Sequence, residues 1–237
     1  MLFLVASVAW ADETTMTYDL YSGDADVGDR TVSVRYLTRD DGERRILSVV
    51  TTATTPLGEV ACRSSGQSSQ RGANFTTSLS VAGAVSEVQG IETPSGGWQL
   101  VTADKAGVHE ASLKPGQVQF TTMDVLDPGR TGLLAVPGHV TVLLAETGEL
   151  MEGELAEGEP ATTKIGGKPV EGTRYVVSGE GGRAVFVVDA NGVLLSSELS
   201  FLGGKFRTVA RKLPPPRTWG TLDVVDSPGG GTQESEL

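Results

Sequence analysis

The residues whose types suit chemistry are few. The chain has two histidines, His109 and His139, and one cysteine, Cys62. Neither histidine has a second histidine or a cysteine at metal-ligand spacing, so both read as lone surface residues and no metal site is expected. Cys62 has no intramolecular partner. It is expected to be a buried small hydrophobe, with a link between chains as the alternative. Glu146, Glu149, Glu152, Glu154, Glu157 and Glu159 form an acidic interval that could attract calcium. No Asp-x-Asp-x-Asp-Gly loop accompanies it, so a solvated strand-and-turn region is expected. The chain carries no G-x-S-x-G elbow, no P-loop and no glycine cluster between a strand and a helix. Any two carboxylates could converge for glycosidic chemistry, but nothing marks a pair. Asn74-Phe75-Thr76 matches a glycosylation sequon, read here as accidental. No catalytic residue and no cofactor follow from these residues.

Elements that could position such groups are all of one kind. The clearest stretch is Thr173–Leu213, where apolar runs at Thr173–Ser178, Arg183–Asp189, Leu194–Leu202 and Lys205–Leu213 alternate with glycine-rich separators. Asn191-Gly192 between two such runs predicts a two-residue type I′ hairpin. That turn sets Val188 opposite Leu195 and Phe186 opposite Ser197. A turn at Gly203-Gly204 sets Phe201 opposite Phe206 and Leu199 opposite Thr208. Period-two alternation then gathers Tyr175, Val177, Phe186, Val188, Leu195, Leu199, Phe201 and Phe206 on one apolar face. Arg174, Arg183, Ser196, Glu198, Ser200, Arg207 and Arg211 share the other with a few valines.

Similar runs fill most of the chain: Thr17–Ser22, Asp26–Thr38, Arg45–Ala53, Glu59–Ser64, Phe75–Val81, Val85–Ile91, Trp98–Thr102, Val108–Leu113, Gln117–Thr122, Val140–Glu146 and Glu149–Ala156. Turn residues separate many of them at spacings of roughly 8–12, an all-β signature. The interval Asp124–His139 reads as a crossing loop with one helical turn. The expected fold is all-β, a large curved antiparallel sheet forming a half-barrel or open barrel, with little helix.

The ends read differently. Residues 1–11 are a short apolar run closing in Ala9-Trp10-Ala11, the pattern of a signal-peptide remnant cut near Asp12. This predicts export to the periplasm or the extracellular space. The run is too short to span a bilayer, so no transmembrane anchor is expected. Residues 12–213 form a single β domain, and 214–237, opening with three prolines, form a disordered tail. A net charge of −11 argues against nucleic-acid binding.

Tyr18-Asp19-Leu20-Tyr21-Ser22-Gly23, Val27-Gly28 and Thr31–Tyr36 resemble the opening strand pair of uncharacterised bacterial envelope proteins of unknown function. Thr147-Gly148-Glu149-Leu150, the stretch Ile165–Tyr175 and Val188–Leu194 are similar to their second half. The resemblance is carried mostly by turns. It implies a fold like the periplasmic lipoprotein-carrier half-barrel, a sheet curled around an apolar cavity and plugged by helices. No clear plug helix is expected from this sequence.

Two functions follow as expectations. One is binding: a lipid or acyl chain held against Tyr175, Phe186, Leu195, Leu199, Phe201 and Phe206. The other is a non-catalytic structural or assembly role in the envelope, with the same face filled as core. A hydrolytic enzyme is the outsider. The sequence leaves the oligomeric state open.

Overall fold

In the computed structural model of the chain, residues 12–39, 42–133, 137–179, 182–201 and 204–213 are described. The signal-peptide remnant and the C-terminal tail expected above lie outside them. The described residues form one 16-stranded sheet. Its first half runs in chain order as β1 (Asp12–Ser22), β2 (Ala25–Arg39), β3 (Gly42–Thr55), β4 (Gly58–Ser69), β5 (Gly72–Val81), β6 (Ala84–Glu92), β7 (Trp98–Asp104) and β8 (Gly107–Leu113). A short β9 (Phe120–Thr121) leads into the one-turn helices α1 (Thr122–Val125) and α2 (Pro128–Thr131). Then come β10 (Gly138–Leu143), β11 (Leu150–Leu155), β12 (Glu159–Ile165), β13 (Lys168–Gly179), β14 (Gly182–Val188), β15 (Leu194–Phe201) and β16 (Gly204–Ala210).

The meander β13–β16 ends by pairing β16 with β1, Tyr18 opposite Ala210, which joins the two halves edge to edge. The sheet path therefore runs from β8 through β1 and β16 to β9, with β12 branching off β13. All pairings are antiparallel except the two-residue contact of β9 with β10. Strands β8 and β9 are the two ends of the path and do not pair with each other, so the sheet stays open.

Where the path ends, it rolls inward. On β3, burial alternates strictly from Arg45 to Ala53, one face to the core and one to water. On β10, Val140, Thr141, Val142 and Leu143 are all buried, so both faces of that strand are covered. Gly148, in the β10–β11 turn, lies against Val88 of β6 and Thr102 of β7. Met123 of α1 reaches Gly66 of β4. The inner strands and the two helical turns thus fill the concave side of the outer strands. One core results, with Leu47, Phe75, Leu133, Val142, Leu143 and Phe186 at its centre. A smaller cluster of Leu20, Ala53, Val60, Cys62 and Leu79 sits apart from it.

The structure corrects four details of the expected register. Asp189 reshapes the Asn191-Gly192 turn: its Oδ1 accepts from the N–H groups of Asn191 and Val193, both at 2.8 Å. Gly192 has φ 76° while Asn191 does not have positive φ, so the turn is longer than type I′. The extra length appears as a β-bulge, in which Val188 pairs with Leu194 and Leu195 is left over. Downstream, Leu199 pairs with Phe206 and Phe201 with Gly204, so the pairing slips by two residues while Leu199 and Phe206 stay on the expected face; Leu195, displaced by the bulge, leaves it. Finally, the strand expected at Gln117–Thr122 shrinks to Phe120–Thr121, because the chain turns into α1.

Candidate functional site

Two regions of the interior could receive a ligand. The first lies where the smaller cluster meets the meander. Leu20, Val60, Cys62, Leu199 and Phe206 line one cavity of about 40 Å³. A second of about 40 Å³ lies beside it, lined by Phe186, Met151, Val142 and Leu126. Arg30, Glu146, Ser197 and Leu199 belong to the walls of both. Each is far smaller than the roughly 300–1,000 Å³ of an ordinary small-molecule pocket.

Three polar groups turn into this apolar space. Arg30 donates its Nε–H to Thr51 Oγ1 at 3.0 Å. Glu146 accepts from Thr122 Oγ1 at 2.7 Å. Burial pushes the Cys62 thiol up to about 11, with the Glu146 charge adding to the rise. The thiol is therefore held protonated at neutral pH, the opposite of an activated nucleophile.

The residues expected to face a cavity are distributed as follows. Phe186 is 1% exposed, and Tyr175 stacks on it with ring centroids 5.7 Å apart and planes at 15°. Leu199 and Phe206 are half-buried neighbours at the cavity wall. Leu195 is fully buried. As the extra residue of the bulge it stands beside Val187 and Gly172, on the side covered by β12, where Thr163 and Ser196 bring their hydroxyls to 3.5 Å. The side chain of Phe201 is outside the described residues.

The second region is a polar cleft of about 320 Å³ at one rim of the sheet, lined among others by Glu43, Glu92, Trp98 and Gln119. Its floor is an ion-pair cluster. Arg45 pairs with Asp124, donates Nε–H to Ser68 Oγ at 3.2 Å, and holds Nη1 3.9 Å from Asp127 Oδ2. Asp127 also accepts from the Tyr36 hydroxyl. Asp124 does two things at once: its other oxygen accepts from Thr121 N–H at 2.8 Å and Thr121 Oγ1 at 2.9 Å, closing the first turn of α1. The cluster thereby ties the α1–α2 plug to β2 and β3. It has acids and one guanidinium, and no histidine, cysteine or lysine lines the cleft among the described residues. The sequence carries its signals, Thr121-x-x-Asp124 and Asp127 before Pro128, yet the partners on β2 and β3 are distant in the chain.

The histidines stay apart. His139 lies with Nδ1 3.4 Å from Glu154 Oε1 in an exposed pair, and His109 is exposed on β8. Among the described residues no group of His, Cys, Asp and Glu could hold a metal ion, and no helix is long and apolar enough to cross a membrane.

No protein-family model matches the chain, and no curated protein matches it. Among solved structures, it is similar to the crystal structure of a β-barrel-like protein of the domain of unknown function DUF1849 from Brucella abortus. The TM-score is 0.51 at 13% identity, over 86% of this chain and 97% of that one. At that identity the likeness speaks for the fold alone: this chain has the open, barrel-like β-architecture of an uncharacterised domain.

Proposed function

We propose that the chain is an exported, non-catalytic envelope protein that acts through its surface, as a structural or assembly component. The observation that carries this reading is the filled interior. The concave face of the outer strands is occupied by β10, buried on both sides; the roomier cleft of about 320 Å³ is floored by ion pairs, and the apolar spaces left are near 40 Å³. An acyl chain needs several times that room. Cys62, held protonated by burial, offers no nucleophile at neutral pH, in keeping with this reading. Native mass spectrometry with lipid extraction, paired with cross-linking in intact envelopes, tests it. The expected result is an apo mass with cross-linked partners. Co-purified lipid at fixed stoichiometry would reject it.

A second reading has its own observation. Leu199 and Phe206 are only half-buried at a cavity wall that also carries Arg30 and Glu146, the mostly apolar, sparsely polar character of a small-molecule site. An apolar ligand would enter by displacing these two side chains. It would then raise the melting temperature, since 100-fold saturation adds about 2.7 kcal/mol. Leu199→Trp would fill the space and lower uptake of a fluorescent fatty-acid probe.

A further inference from the structure

The outer end of the sheet has no cover. Strand β8 is exposed at every residue from Gly107 to Ser112, so water reaches both of its faces, and no strand pairs with its free edge among the described residues. Its pairing with β7 fixes which groups that edge presents. Asp104 opposite Gly107 closes a two-residue hairpin, and the closing pair of such a hairpin is hydrogen-bonded. Hydrogen-bonded and non-bonded pairs then alternate along the ladder. Gly107, His109, Ala111 and Leu113 spend their backbone groups on β7. Val108, Glu110 and Ser112 turn theirs outward. Edges are ordinarily guarded by proline, bulges or several charges. Here the guard is a single carboxylate, Glu110, flanked by Val108, which is 66% exposed, and the small Ser112. Behind them on the same face lie Val101 at 37% and Val85 at 53% exposure.

We propose that the β8 edge is a strand-addition site for an extended segment of another protein, one face of which carries an apolar residue two positions from a basic one. The outward N–H and C=O groups of Val108, Glu110 and Ser112 supply the ladder. Val108 favours an apolar residue directly across from it, and Glu110 favours a lysine or arginine. A chain of net charge −11 attracts such a segment from a distance. A second copy of this chain fits worse. The antiparallel register that uses all three outward residues sets Glu110 against its own copy, and both copies carry the same net charge.

This inference rests on the assembly reading and names its surface. The probe is a fluorescently labelled heptapeptide Thr-Val-Thr-Lys-Thr-Val-Thr, whose valines and lysine share one face, with the same peptide carrying glutamate for lysine as control, titrated against the folded protein at low salt. The lysine peptide should bind with 1:1 saturation and slow amide exchange at Val108, Glu110 and Ser112. Ser112→Pro removes one outward N–H and leaves the β7 ladder intact, and it should weaken binding by at least about tenfold. Glu110→Lys should invert the preference between the two peptides, which keeps the test decisive where Ser112→Pro perturbs folding. Equal binding of both peptides, no binding, or binding unmoved by both variants overturns the proposal. So does a dimer in sedimentation that Ser112→Pro dissociates. Cross-linked partners in the envelope that bind Ser112→Pro as well as the parent chain would sink the edge while leaving the assembly reading standing.

Discussion

Strands β8 and β10 are of similar length and stand near opposite ends of the same sheet path, yet they meet different surroundings. On β8 every residue but Leu113 is exposed. On β10 the four residues Val140–Leu143 are all buried. Composition follows environment: β10 reads His-Val-Thr-Val-Leu after its glycine, while β8 reads Val-His-Glu-Ala-Ser-Leu. An open sheet of this width must curl or split. This one curls so that one end becomes its own filling and the other end is left outside. The contrast separates what holds the molecule together from what it can offer to another molecule.

The sharpest break in that contrast comes at the latch holding the inner end in place. Arg45→Ala removes the guanidinium that pairs with Asp124 and lies 3.9 Å from the buried Asp127. Breaking this largely buried ion pair should cost about 3–5 kcal/mol in urea unfolding. Replacing Arg45 by methionine and Asp127 by leucine together should recover much of that loss, because the site then asks for packing alone. A loss under about 1 kcal/mol for Arg45→Ala would show that the plug stays seated without its latch.

Next in size is the inner strand itself. Leu143 is fully buried in the main core, so Leu143→Ala should cost about 2–5 kcal/mol, transfer and cavity terms together. Phe186→Ala, in the same core, belongs to the 3–5 kcal/mol range. Equilibrium denaturation measures both. Small losses would mean that β10 and the meander are not packed against one another in solution.

These two experiments also mark where the sequence is readable. The hairpins of β1–β8 are legible because each is local, several with two turn residues followed by glycine, as at Pro56-Leu57-Gly58 and Lys105-Ala106-Gly107. Gly58 and Gly107 have φ of 113° and 132°, which other residues rarely adopt. The pleat alternation of β3 is legible because only one of its faces is buried. The rest depends on distant chain. Val187 and Leu195 break the alternation because β12 covers them. The shortening of β9 follows from Asp124, which closes a helical turn and meets an arginine far back in the sequence. The register of Leu199 and Phe206 follows from where the β15–β16 turn is placed, and neighbouring glycines allow more than one position. Of the residues expected to line a cavity, the hydrophobicity was readable. Whether the space in front of them is empty or filled depends on the roll of the sheet, which no local pattern encodes.

Cys62 tests the smaller cluster by pH. Its folded-state value is raised from 9.0 to about 11 by burial. The native state therefore keeps a proton that the unfolded chain releases, and stability should be level below pH 9 and fall as pH rises from 9 towards 11. The loss is on the order of 3 kcal/mol. Cys62→Ala lowers the stability itself but should remove this part of the slope, and the comparison cancels the titration of lysines and tyrosines. Identical slopes in the two proteins would mean that the thiol reaches water in the native state. Labelling by a thiol reagent should agree, proceeding only with unfolding.

The smallest expected effect is at the uncovered edge. Val108 is 66% exposed and its side chain contributes little to the core, so Val108→Ala should change stability by no more than about 0.5 kcal/mol. The same truncation should lower affinity for the valine–lysine peptide, because it removes the apolar contact on the outer face of the added strand. A residue that is silent in folding and audible in binding is what an interaction edge requires. Should Val108→Ala instead cost more than about 1 kcal/mol, the edge must be covered in the isolated protein. A stability loss that grows with protein concentration would then identify the cover as a second copy, since mass action makes the folding of an assembled chain depend on concentration. A loss independent of concentration would identify it as a segment of the same chain, and in either case β8 would not be open to another protein.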